Sequence, residues 1–419
     1  MLRAARRRIL YVDMAPSVGG SIISLYGLLK GLDRTCYEPS LVLRRGHPAI
    51  ARFEALDIDV HPVDAGYTGA MASASPRLGR VRRSKLVRLL KRSTTGERLV
   101  HEAGFWLRTW PELRREAVEL QQVIARVEPD LLHLNDIVSV CRAGIMAARS
   151  TGIPAICHLR AMDTRSPYDR WLSRSLRGYI CISQAVAAYH CQQGGKAEPY
   201  WVVYNGLDLA EYAATPAESQ HIRQCVRATL GYTPDDFVVG CIGRLRPWKG
   251  QHVLLKAAAL LAPQWPKLRV LIVGSPERHE SDYDTALRAL AAELGIRDIV
   301  TFAGFREDIP DLLRGMDLMV HASVSPEPFG RVIIESMAAG TAVLATDGGA
   351  IPEIVQDGVS GRLVPPNDVP AMAEGIAYAI EHPEARAGWA KMAREQVEAR
   401  FALAHHVRGV QKVYEAILR

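Results

Sequence analysis

Thirteen short apolar runs, set apart by longer stretches of helical periodicity, constrain this chain more than any other feature. In the first half they are ILYVDM, PSLVLR, DIDVHPV, LLHLN, AICHLR, GYICIS and WVVYNG; in the second, FVVGCIG, LRVLIVG, IVTFAG, LMVHAS, TAVLAT and GRLVPP. Many are continuously apolar rather than alternating, the pattern of parallel strands covered on both faces. Stretches such as QHVLLKAAALLAP, YDTALRALAAELG and RVIIESMAAG lie between them and read as crossover helices. Over 419 residues, two sheets of six or seven strands, each with its own core, fit better than one sheet of thirteen. The break is expected between Asn205 and Asp236, where NGLDLAEYAATPAESQ and GYTPDD carry turn signals. The reading is therefore an α/β chain with a first domain over 1–205, a basic insertion around 68–115, a linker over 206–235, a second domain over 236–390 and terminal helices over 391–419.

Bulk properties narrow the class without choosing a function. Hydrophobic residues make up 48% and charged residues 23%, ordinary for a globular protein. No apolar run reaches the roughly 18 residues of a membrane span. The basic start MLRAARRRILYVDM has too short an apolar stretch for a signal peptide and reads as a first strand, so a cytoplasmic location is expected. The seven cysteines show no CxxC pairing and several sit in strand-like runs; they read as buried free thiols. The formal charge of +7 is partly concentrated between Arg77 and Arg92, where eight basic residues stand with no acid.

Two segments carry the chemistry. Ser325 to Ile351, SPEPFGRVIIESMAAGTAVLATDGGAI, places Glu327 in a proline-flanked turn and Glu335 inside the following helix, with seven residues between them. A strand and the turn Asp347-Gly348-Gly349 follow, and the glycine turn and helix start suit close backbone approach to an anion. Ionised carboxylates accept several hydrogen bonds and so suit sugar and ribose hydroxyls. The second segment, GCIGRLRPWKGQHVLL, puts Arg244 and Lys249 between a strand end and a helix start, where open α/β sheets bind ligands. Each segment alone is also compatible with exposed loop charges; together they describe a seat for a sugar diphosphate.

These motifs resemble those of the retaining glycosyltransferases of family 4. The pair of glutamates in EPFGRVIIE, the stretch Gly243 to Gly250, and GGAIPEIVQDGVSGRLVPPND, VVYNGLD, YICISQAV and APSVGGS match in family order, most specifically over 236 to 368. The resemblance implies the GT-B fold, two Rossmann-like domains with parallel sheets facing a central cleft, the last helix packing back on the first domain. It implies transfer of a hexose from a nucleoside-diphosphate sugar (UDP- or GDP-linked) to a glycan or lipid-linked acceptor hydroxyl, as in polysaccharide assembly, with no metal and no further cofactor. By position, Arg244 and Lys249 would neutralise the diphosphate, Glu335 would hold the ribose, and Glu327 would face the sugar. The backbone at Phe329 and Gly330 would lie near sugar and phosphate, and Phe305 and Arg306 near the base. His158, at the end of AICHLR, matches a histidine near the donor sugar, although a strand-end histidine is more often structural. Gly19 and Gly20, followed by Ser21 as a natural helix cap, would reach the donor phosphate or acceptor, or simply make a tight turn. Arg160 and Asp163 are weaker matches, as suited to a plain loop as to acceptor contact. His133 carries a structural expectation.

Other readings stay open. A nucleotide-sugar epimerase shares the architecture but needs no acceptor, and a non-catalytic sugar-nucleotide-binding subunit would share the site. The pattern Asp57-Ile58-Asp59 imitates a metal-binding motif of glycosyltransferases with another fold, but it lies in an alternating strand far from the donor motifs. On a helix, Lys85, Arg88 and Arg92 share one face and Leu86 and Leu90 another, which suits an anionic membrane surface as well as plain solvation. Nucleic acid is not an expected partner.

Overall fold

The computed structural model of the chain describes residues 6–16, 18–64, 94–193, 199–276 and 281–419, with the backbone alone at 94–108 and 281. The basic run Arg77–Arg92, with the helix faces read from it, lies outside the described residues. The chain forms two units. The first takes in the described residues as far as Cys181, with Ala187–Val202 and Val410–Arg419; the second takes in Ile182–Val186 and Val203–Gly409.

In the first unit the strands are β1 (Arg7–Val12), β2 (Tyr37–Arg44), β3 (Asp59–Val63), β4 (Leu131–Leu134), β5 (Ala155–Leu159), β6 (Tyr179–Cys181) and β7 (Tyr200–Val202). They form a sheet in the order β3-β2-β1-β4-β5-β6-β7, with parallel pairs throughout. In the second unit β8 (Phe237–Ile242), β9 (Leu268–Val273), β10 (Val300–Gly304), β11 (Leu318–His321), β12 (Ala342–Thr346) and β13 (Arg362–Val364) form a parallel sheet in the order β10-β9-β8-β11-β12-β13. Each apolar run of the sequence thus supplies one strand. Every residue of β4, β5, β11 and β12 is buried, the reason those runs lack alternation. Each buried Leu, Ile or Val contributes about 1.5–3 kcal/mol.

Both sheets start near their middle, grow to one side, then return past the first strand to grow to the other. The reversal falls between β1 and β4 in the first sheet and between β8 and β11 in the second. At such a switch point the two flanking connections leave in opposite directions and open a crevice at the carboxyl ends of the strands.

The stretch read as a linker holds a helix, Pro216–Thr229, closed at its start by a Thr215–Glu218 capping box. It is tied to the second unit: Arg227 donates from Nε to the Gly315 carbonyl at 3.0 Å, and Arg223 to the Met316 carbonyl at 2.7 Å. The cysteine expectation holds at Cys141, Cys157, Cys181 and Cys241, whereas Cys36, Cys191 and Cys225 are exposed free thiols. Cys191 and Cys225 stand on the solvent faces of helices, where no strand run encloses them. Asp57 lies in a left-handed turn, φ 54°, and Asp59 opens β3, the edge strand of its sheet. No helix among the described residues is long and apolar enough to cross a membrane.

Candidate functional site

In the second unit, β8 and β11 flank the switch point and deliver the charged residues. After β8 the chain runs through Gly243 and Arg244 into a short 3-10 turn, Pro247–Lys249, and then the helix Gln251–Leu261. Gly250 joins turn to helix at φ 69°, so close to β11's extension that an added Cβ would stand 1.8 Å from the Ala322 carbonyl oxygen. A glycine is required there on both counts. The backbone of Val324 also bonds to the Trp248 carbonyl at 2.8 Å, so the two connections are pinned together.

That pinning brings Lys249 onto Glu327. The ammonium donates to Glu327 Oε2 at 2.8 Å, and His321 Nε2 and Ser323 Oγ reach the same oxygen at 3.1 and 3.0 Å. Glu327 is buried at 7% exposure. Burial alone would push its carboxyl up, but the His321 hydrogen bond and the Lys249 charge outweigh it and hold the group down at about 2. Glu327 is therefore an ionised acceptor. Lys249 also lies 4.2 Å from the centre of the Trp248 ring. His321 and Ser323 escaped the sequence reading. The signal was available in LMVHAS, a continuously apolar run that turns polar at its carboxyl end, where ligand-facing residues sit.

The remaining second-unit residues take these places. Arg244 is exposed at the end of β8, and its carbonyl accepts from Gln251 Nε2 at 3.0 Å. Gly330, at φ 90°, begins the helix Arg331–Ala339, where Arg331 pairs with Glu335 at 3.3 Å. The Phe329 ring is buried against Tyr204 and Phe401, so the backbone is what that position offers a ligand. Phe305 follows β10 with 71% of its surface exposed, and Arg306 makes a two-pronged pair with Asp308. The glycine turn has a different role from the one expected. Gly349 bridges to Glu327, and a Cβ there would lie 2.2 Å from the Glu327 carbonyl oxygen; the close approach is to protein backbone.

In the first unit, the switch point gathers residues from β1, β4 and β5. Asp13, fully buried after β1, accepts from Asn135 Nδ2 at 2.6 Å and from the Ala15 amide at 2.9 Å. Burial, only partly offset by these bonds, pushes its carboxyl up to about 6. Arg160 folds back onto Asn135 Oδ1 at 2.8 and 2.6 Å, and Asp163 accepts from Ser139 Oγ at 2.8 Å. Gly19 caps the helix Gly20–Gly31 without a side-chain bond; Ser21 is already helical and is not the cap. His158 is fully buried at the end of β5 and lies 3.1 Å from His133, which the sequence reading had ranked low.

Two family models match the chain: "Glycosyltransferase Family 4" over residues 18–211 and "Glycosyl transferases group 1" over 225–396. A D-inositol 3-phosphate glycosyltransferase of Mycobacterium sp. (strain KMS) is 40% identical over 199 residues, 47% of this chain and 42% of that protein. The matched part thus spans less than half the length of that relative. The lipopolysaccharide core biosynthesis mannosyltransferase LpcC of Rhizobium leguminosarum bv. viciae is 30% identical over 258 residues, 62% of this chain and 70% of that protein. Among solved structures, Anabaena HepE in complex with UDP and glucose superposes with a TM-score of 0.78 at 27% identity, covering 98% of this chain and 100% of its own. The same protein with UDP-glucose gives 0.76 at 28%, covering 98% and 99%.

Proposed function

The chain belongs to the group 1 glycosyltransferases, and on that premise we propose that it moves a hexose from a nucleoside-diphosphate sugar to an acceptor hydroxyl with retained anomeric configuration. The observation that carries the reading is the Lys249–Glu327–His321 cluster at the switch point of the second sheet, with Arg244 on the same strand end. Glycosyl transfer breaks the bond between the anomeric carbon and the diphosphate, forms one to the acceptor oxygen, and passes the acceptor proton to the departing diphosphate. Cations placed for that leaving charge lower the barrier, and each charge-assisted bond is worth about 1.5–3 kcal/mol. Lys249, held by an ionised Glu327, Arg244 and the positive end of the helix Arg331–Ala339 supply the charge without a metal. Glu335 accepts from ribose hydroxyls, the backbone near Phe305 and Arg306 lies by the base, and His158 bonds a hydroxyl of the sugar.

HepE, solved with UDP and with UDP-glucose, supports a uridine donor. The relatives named for inositol phosphate and lipopolysaccharide core support an acceptor in glycan or glycolipid assembly. A thermal-shift comparison of UDP, GDP and ADP with their sugars tests the donor. UDP at a hundredfold excess over its Kd should stabilise by about 2.7 kcal/mol, and Lys249→Ala should lose the shift; no shift with any nucleotide sinks the reading. In turnover, an α-donor should yield an α-linked product by NMR, undiminished in EDTA. A β-product, or EDTA inhibition reversed by magnesium or manganese, overturns the corresponding part.

A further inference from the structure

The acid that Lys249 meets is itself held by two residues outside both sequence motifs. His321 is the last residue of β11, where it pairs with Ala345 of β12, and Ser323 follows two positions later. The Ser323 carbonyl accepts from Thr346 Oγ1 at 2.7 Å, which fixes its backbone to the end of β12. The Glu327 carbonyl accepts from the Ala350 amide at 2.8 Å. Such anchoring holds side chains more precisely than a free loop does.

The bonds at the carboxylate share one oxygen. Ser323 donates its single O–H to Glu327 Oε2 at 3.0 Å. His321 Nε2 then faces two accepting oxygens, Oε2 at 3.1 Å and Ser323 Oγ at 3.2 Å, so the ring carries a proton on Nε2. His321 Nδ1 is buried and meets no protein partner among the described residues, so a proton placed there alone would go unbonded. The Lys249 ammonium is the third donor, at 2.8 Å, and spends one of its three N–H groups on the bond. It is also the outermost: side-chain exposure rises from 4% at His321 and 9% at Glu327 to 20% at Lys249.

We propose that His321 and Ser323 are positioning residues for the donor diphosphate: they fix Glu327 from the buried side, and Glu327 fixes Lys249 so that its two other N–H groups serve the phosphate oxygens. This rests on the reading of Lys249 as a diphosphate contact. A lysine carries a flexible four-carbon stem, and fixing it beforehand removes an ordering cost from donor binding. With two other donors on Oε2, the carboxylate stays satisfied when the ammonium leans toward a second anion.

Isothermal titration calorimetry with UDP, GDP and ADP tests this, the tightest of the three serving as the probe. By analogy with the outer partners of metal ligands, His321→Leu should weaken the probe about 10-fold, and Ser323→Ala should weaken it less. His321→Gln, whose amide N–H takes the place of Nε2, should restore most of the affinity. In a Glu327→Gln background, His321→Leu should add no loss beyond a factor of about two, because the charge it acts through is gone. A merely structural histidine would cost the same in both backgrounds. Thermal melts check folding, and Ser323→Ala, the smallest change, takes its place in the cycle if His321→Leu does not fold. Affinity unmoved by these two variants, or equal losses with and without the Glu327 charge, overturns the proposal and leaves the diphosphate reading standing. A wild type that binds none of the three nucleotides, or a Lys249→Ala variant that binds as the wild type does, brings down that reading and the proposal with it.

Discussion

A carboxylate with 7% of its surface exposed stays ionised only when its neighbours replace the water it has lost. At Glu327 those neighbours are Lys249, 78 positions earlier, and His321 and Ser323, at the end of the preceding strand and just after it. The motif letters named Glu327 and Lys249 from sequence but could not tell that the two are partners of each other. The consequence for pH has a definite sign. The folded carboxyl sits at about 2 against 4.5 for a free one, so its contribution is complete above 4.5 and fades as the pH falls toward 2. That depression corresponds to stability on the order of 3 kcal/mol. Glu327→Gln should therefore cost about that much at pH 7 and progressively less in acid, as followed by urea denaturation at several pH values. A cost that does not change with pH would show that the charge is not what holds this site.

At the scale of elements, strands were read correctly because a strand's burial is written into consecutive letters, while turns depend on what lies opposite. Gly349 looked like an anion seat and proved to be the packing contact of the Glu327 backbone. Ser21 looked like a helix cap, yet the helix begins one residue earlier, on Gly20. The stretch after Asn205 showed turn signals and so read as linker, while its helix Pro216–Thr229 is bound by arginines to carbonyls about 90 positions away. Gly250 offers a test of the element that carries Lys249. Gly250→Ala must bear the left-handed penalty of about 1–2 kcal/mol and displace the Ala322 backbone. Gly295→Ala, at φ 70° with nothing within 4 Å of its Cβ, bears the penalty alone. Equilibrium unfolding should rank Gly250→Ala clearly above Gly295→Ala, and equal costs would refute the requirement for close approach.

For the molecule as a whole, the chain's ends matter to its beginning. The helix Leu403–Ile417 is shared: as far as Gly409 it belongs to the second unit, and Val410–Arg419 belongs to the first. Val410, Val413 and Tyr414 are buried there, and losing a buried aromatic typically costs about 3–5 kcal/mol. Deleting Val410–Arg419 should lower the unfolding temperature of the first unit in calorimetry and leave the second unit's transition little changed. A thermogram identical to that of the full chain would contradict the assignment of that segment.

The sequence by itself determined the class of fold and the strands found among the described residues, and it named the candidate residues for a donor site. Continuous apolar runs have few ways to be buried, and a diphosphate needs cations at a strand end. Tertiary structure alone decided the partnerships: Glu327 with Lys249 and His321, and the buried series His158, His133, Tyr414 and Tyr11. Those contacts join residues from 6 to 403 positions apart. The chemistry of the first, an ionised buried acid, comes from hydrogen-bond partners that only packing brings together.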